Sequence, residues 1–189
     1  MSADDGRVGH VADTGLFVWL GGPQPESTGP SKFDTMARLA QSEGIVFTIP
    51  RQVYDELTAD VDTGYTTSLA VVNDAIEAGW VEVADPLDFT IGPVSTVFDR
   101  SEELIERRDE HHRNDEDARS DASVLAIAAQ MLETDTVDRV GIYTTDRAQR
   151  DTAEDVLRGR YGDRIEVHYC VEYIKDGVDI DGFRRLWRE

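Results

Sequence analysis

The stretch Val140-Gly141-Ile142-Tyr143-Thr144-Thr145-Asp146-Arg147-Ala148 decides the fold. Residues 140–144 are apolar or β-prone and read as a buried strand. Helical spacing takes over across 148–158, so a single acidic residue marks the change from strand to helix. The start of the chain repeats this order. Val8 to Ala12 reads as a short buried strand, Asp13 follows, and Leu16-Phe17-Val18-Trp19-Leu20 makes a compact apolar turn or helix. Such strand–helix units build an α/β domain on a mainly parallel sheet. Sites in these sheets form beyond the carboxyl ends of the strands, where strand order reverses. Asp13 and Asp146 both stand at positions that rule selects.

The rest of the chain keeps the alternation. Phe33, Met36, Ala37, Leu39 and Ala40 have helical spacing, closed by Gly44. Residues 45–49 form a strand stopped by Pro50, and Val53, Tyr54, Leu57 and Val61 mark a helix. A helix over 68–78 ends at Gly79, and 80–83 is a strand. Residues 116–133 are the clearest helix, with Val124, Leu125, Ala128, Met131 and Leu132 on one stripe. Ile165 to Tyr169 is the last strand. The 21–31 segment, rich in Gly and Pro, is a loop. Residues 85–115 read as an excursion with two prolines followed by a charged helix over 102–113, and the 171–189 tail holds a docking helix with Phe183, Leu186 and Trp187. The expectation is one domain over 1–189 with a central sheet of four to five strands.

Composition narrows the function classes. The 189 residues carry a net charge of −20, from 39 acidic residues against 19 Lys and Arg, of which only Lys32 and Lys175 are lysine. This bias resembles proteins of extreme halophiles. At about 1 M salt the Debye length is roughly 3 Å, so the charge does not exclude a nucleic-acid substrate. No segment has the roughly 20 apolar residues of a membrane span. The start lacks signal-peptide character, which makes the cytoplasm the expected location. Cys170 is the lone cysteine, so no disulfide or cysteine-based metal motif is expected.

Four acids stand out because they adjoin apolar segments, where a carboxylate needs a donor or a cation. Asp121 lies on the apolar stripe of its helix, with Val124 and Leu125 three and four residues on. Glu56 borders the Val53/Leu57 stripe, whereas Asp55 points farther away. Asp13 and Asp146 also suit helix N-caps. Asp117 and Asp151 are nearby candidates that local pattern leaves solvated. Asp13-Thr14-Gly15 is also the signature triplet of aspartic proteases, which pair two such carboxylates around one proton. That fold is nearly all strand, and the helical patterns at 116–133 and 148–158 argue against it.

Taken in order, Val11-Ala12-Asp13-Thr14, Tyr54-Asp55-Glu56-Leu57, Asp121-Ala122-Ser123-Val124-Leu125-Ala126-Ile127-Ala128 and Thr144-Thr145-Asp146-Arg147 resemble the motifs of PIN-domain nucleases. That fold is shared by VapC-like toxin ribonucleases and ribosomal-RNA processing nucleases. The resemblance implies a three-layer α/β/α domain and a metal-dependent endoribonuclease with Asp13, Glu56, Asp121 and Asp146 as catalytic residues. It implies Mg²⁺ or Mn²⁺ held by Asp13, Asp121 and Asp146, with Glu56 as a ligand or water-positioning base. RNA is the implied substrate, with contacts from Thr14, Thr145, Arg119 and Arg147, and further cationic help from Arg107, Arg108 and Arg113. For those arginines, salt bridges to Glu102, Glu103, Glu106 and Asp109 are the plainer reading. His111 and His112 are adjacent and face different directions on a helix, so they share no metal. An antitoxin and a homodimer are further implied partners. The alternative is a non-catalytic PIN domain that binds nucleic acid or protein. The chain departs from the family at Gly15, where Asn or Ser is common, and in its extra length at 21–31, 85–115 and the tail.

Overall fold

Five strands, β1 (Val8–Ala12), β2 (Phe47–Ile49), β3 (Val81–Val83), β4 (Arg139–Thr144) and β5 (Ile165–Tyr169), pair in the order β3-β2-β1-β4-β5. All four pairings are parallel, with Ala12 opposite Tyr143 at the carboxyl end of the β1/β4 pair. The computed structural model describes residues 6–21, 30–58, 68–108 and 115–187, less the side chains of 68–71 and 115–117. Among these residues the helices are α1 (Thr14–Gly21), α2 (Lys32–Glu43), α3 (Arg51–Thr58), α4 (Ser68–Glu77), α5 (Gly92–Arg108), α6 (Asp115–Glu133), α7 (Arg147–Tyr161), α8 (Val171–Ile174) and α9 (Ile180–Leu186). Val61, His111, His112, Arg113, most of the 21–31 loop and the side chain of Asp117 lie outside the described residues.

Parallel neighbours need right-handed crossovers. The chain leaves β1 toward β2 and β3, then returns past β1 to β4 and β5, so its helices cover both faces of the sheet in the expected α/β/α arrangement. The core is continuous from Val11, Phe47, Ile49 and Ile142 in the sheet to Leu16, Leu39, Leu57, Leu125 and Leu157 on the helices. Each such side chain contributes about 1.5–3 kcal/mol through burial. Local signals agree with the ends: Ser31 and Asp34 form a capping box at the start of α2, and Gly44 closes it at φ 71°. Among the described residues no helix is long and apolar enough to cross a membrane.

The 85–115 excursion is more regular than its prolines suggest. A continuous helix, α5, begins at Gly92, ten residues before the charged segment. Pro93 sits in its first turn, where a missing N–H does no harm. Val94, Phe98 and Ile105 on α5 pack against Ala118, Ala122 and Ala126 on α6. α6 therefore carries two apolar stripes: Val124, Leu125, Ala128 and Leu132 join the sheet core, and the alanines let α5 approach closely. The tail forms two short helices, α8 and α9. Phe183 is fully buried, and the Trp187 ring centroid lies 5.6 Å from that of Phe183 and 6.2 Å from that of Phe47. These rings are used within the chain's own core.

Candidate active site

Strand order reverses at β1, which has β2 on one side and β4 on the other. Asp13 leaves the end of β1 with its N–H donating to the Tyr143 carbonyl at 3.1 Å, so it sits directly beside the end of β4. The residue is 3% exposed. Oδ1 accepts from the Leu16 N–H at 2.8 Å and so caps α1. Oδ2 accepts from the Thr144 hydroxyl at 2.6 Å and the Thr145 N–H at 3.2 Å. Even with three donors the pKa is raised to about 6, because burial outweighs them and the nearby Asp146 adds repulsion.

Asp146 caps α7, its Oδ1 accepting from the Gln149 N–H at 3.0 Å. Thr144 ties the two caps together: its hydroxyl donates to Asp13 and accepts from the Asp146 N–H at 2.9 Å. Two helix N-termini, with their partial positive charge, thus meet at one strand junction. Both residues are N-caps, and each also has its carboxylate at the carboxyl end of the sheet.

The other two carboxylates come from helices. Glu56 on α3 is half-buried and accepts from the Thr14 hydroxyl at 2.5 Å. Its neighbour Asp55 turns outward to Arg51 at 2.9 Å. Asp121 on α6 is half-buried beside α7. The buried Gln149 side chain donates to the Asp121 carbonyl at 3.1 Å and to Oδ1 at 3.3 Å. Asp13, Glu56, Asp121 and Asp146 line one cleft of about 400 Å³, together with Thr14, Gly15, Trp19 and Thr145. Among the described residues no three His, Cys, Asp or Glu side chains stand close enough to form a ready-made metal cage.

Among the described residues, Arg107, Arg108, Arg119 and Arg147 are not part of this cleft lining. Arg119 is exposed and pairs with Glu102 at 3.6 Å. Arg147 is exposed over the Tyr169 ring, 5.8 Å from its centroid. Arg107 pairs with Glu103, and Arg108 with Asp155 and the Thr152 hydroxyl. Asp151 is exposed and pairs with Arg150 at 2.6 Å.

Gly15 has a steric reason. A Cβ there would collide with the Thr145 hydroxyl and lie 3.4 Å from Asp13 Oδ1. The Thr145 side chain fills the room that a side chain at position 15 would take. Sequence reasoning missed Gln149, although a Gln three residues after an N-cap is a capping-box signal. Here that side chain reaches across to α6 instead. It also passed over Trp19, treated only as part of an apolar segment.

A comparison with curated proteins found no match. The family model described as the halobacterial PIN domain matches residues 6–180, so the chain belongs to that family.

Proposed function

We propose that the protein is a divalent-metal-dependent endoribonuclease that hydrolyses RNA phosphodiester bonds in the cleft of Asp13, Glu56, Asp121 and Asp146. PIN domains are generally nucleases and generally use divalent metals. One observation carries the reading: four carboxylates from four separate elements face one cleft at the reversal of the sheet. The donor set fits the ion. All the donors are oxygens, which suits Mg²⁺ or Mn²⁺, and carboxylates that do not form a closed cage suit an ion that keeps several waters. The buried Asp13 charge, only partly offset by its hydrogen bonds, gains from a cation beside it.

In this reading Asp13, Asp121 and Asp146 hold the metal. A bound divalent ion supplies positive charge at the phosphate and makes water more acidic. Glu56, fixed by the Thr14 hydroxyl, takes the proton from the attacking water. Thr144 holds Asp13 against the start of α7, and Gln149 ties Asp121 to the Asp146 cap. If the protein is a toxin, its antitoxin covers this cleft, and a small adjacent gene is the expected companion.

The test is RNA cleavage in molar KCl with Mn²⁺ or Mg²⁺, the salt being chosen for the acidic surface. Wild type should cleave, and Asp13→Asn and Asp121→Asn should not. Equal activity in all three would overturn the site, and RNA binding without cleavage by wild type would favour a binding module. Gln149→Leu gives a finer check. Gln149 is fully buried, with Oε1 unsatisfied, so an apolar isostere should leave thermal stability near that of wild type. Losing the tie to Asp121 should weaken Mn²⁺ affinity by about 10–100-fold in a calorimetric titration. Unchanged affinity would remove Gln149 from the site.

A further inference from the structure

We infer that Trp19 is the platform on which an unpaired RNA base stacks beside the carboxylates, an inference that rests on the ribonuclease reading above. Trp19 is 39% exposed, whereas Trp80 is 1% exposed and in the core. α1 buries Leu16, Phe17 and Leu20, so the exposed ring is not needed to seat the helix. Its position is specific. Trp19 follows Gly15 by one helical turn, both residues line the carboxylate cleft, and the ring is the large apolar surface in that lining.

The charge pattern favours stacking as the means of holding RNA. The chain carries a net charge of −20, the cleft is walled by four carboxylates, and Arg119 and Arg147 stand outside its lining. Coulombic attraction to the RNA backbone is therefore weak at the cleft, and molar salt weakens it further. Stacking on an aromatic face survives salt and accepts any base. The Lys32 amine, one of two lysine amines in the chain, lies over the Trp19 ring, 5.9 Å from its centroid, and donates to the Lys175 carbonyl at 2.9 Å. It places a positive charge at the ring that would receive the base. A paired base has its faces covered, so the occupant is a nucleotide of single-stranded RNA.

The test is fluorescence anisotropy with a short labelled single-stranded RNA, in molar KCl with Ca²⁺ replacing the catalytic ion. Trp19→Ala should raise Kd about tenfold or more, and Trp19→Tyr should recover most of the loss. In wild type, one abasic position in the RNA should cause a similar loss, and the same position should cost nothing further in Trp19→Ala. The Mn²⁺-induced rise in Tm should persist in Trp19→Ala. An unchanged Kd in Trp19→Ala overturns the platform and points to a protein contact for the ring. A lost Mn²⁺ response also overturns it, by making the ring a structural wall of the pocket. A wild-type protein that binds no RNA overturns the ribonuclease reading, and the platform falls with it.

Discussion

Asp13→Asn should lower metal-dependent RNA cleavage on the order of a thousandfold, yet leave the metal-free protein at least as stable as wild type. Both effects come from one buried charge. Asp13 is 3% exposed, and its pKa is raised to about 6 by burial. A shift of that size costs about 3 kcal/mol of folding stability at neutral pH. The sign follows from the raised value: the cost is absent below the unfolded pKa near 3.8 and complete once pH exceeds about 6. Asparagine removes the charge and keeps an acceptor for the Leu16 N–H that caps α1. The Thr144 hydroxyl can turn to meet the new amide, and the Thr145 N–H loses its partner, a penalty of about 1 kcal/mol. The balance is a gain. Denaturant midpoints in EDTA at neutral pH measure it, and Tm with and without Mn²⁺ measures the second half. Wild type should rise in Tm with Mn²⁺ and the variant should not. A variant much less stable than wild type in EDTA would show that the carboxylate's hydrogen bonds outweigh its burial. A retained Mn²⁺ response would remove Asp13 from the metal site.

The elements that set the fold were legible because their signals are local. Strand 140–144 and the start of α7 around Asp146 follow from a change of periodicity within a few residues, and Gly44 closes α2 through a conformation that glycine adopts at little cost. α5 was half hidden because its first turns carry Pro93 and few charges, and their apolar partners are alanines on α6. Alanine at 118, 122 and 126 reads as helix propensity; only the packed structure reveals a second contact face. Glu56, ambiguous in sequence, lines the cleft and accepts from Thr14, which lies 42 positions earlier. Gln149 and Thr144 were present in the sequence, but their bonds to Asp121 and Asp13 depend on how α7 and β4 sit against α6 and β1. Such cross-element ties leave no spacing to find. The same holds for Gly15 and Thr145. The missing side chain at 15 looks like a loss until Thr145, from the neighbouring strand end, is seen in its space.

Acidification in molar KCl should destabilise this protein through two buried histidines outside the carboxylate cleft. His10 on β1 is 6% exposed, with Nδ1 2.9 Å from the Tyr143 hydroxyl, and His168 on β5 stacks at 4.9 Å, centroid to centroid, on the other side of the Tyr143 pairing. Each has its pKa lowered to about 4, first by burial and, for His10, also by repulsion from His168. The groups facing them add little compensation. Glu166 lies 3.7 Å from His168 Nε2, while burial holds Tyr143 and Cys170 neutral by pushing both upward. A histidine lowered in the folded state takes up its proton first in the unfolded chain. Its stability contribution is complete above the unfolded value near 6.5 and is lost as pH falls from there to about 4. The pair amounts to at most about 7 kcal/mol, of which about 5–6 kcal/mol is lost by pH 4. Asp13 acts with the opposite sign over nearly the same window, returning about 3 kcal/mol as it protonates. Wild type should therefore lose about 3 kcal/mol between pH 6.5 and 4, and Asp13→Asn about twice that. Molar KCl is needed because the surface carboxylates repel one another in dilute buffer, and their neutralisation would then stabilise the protein on acidification and mask the histidines. Denaturant midpoints across this range measure the slope, and His168→Phe should roughly halve the loss in the Asp13→Asn background. A flat profile for Asp13→Asn would mean that the unfolded chain gains no proton advantage, and that water reaches both imidazoles.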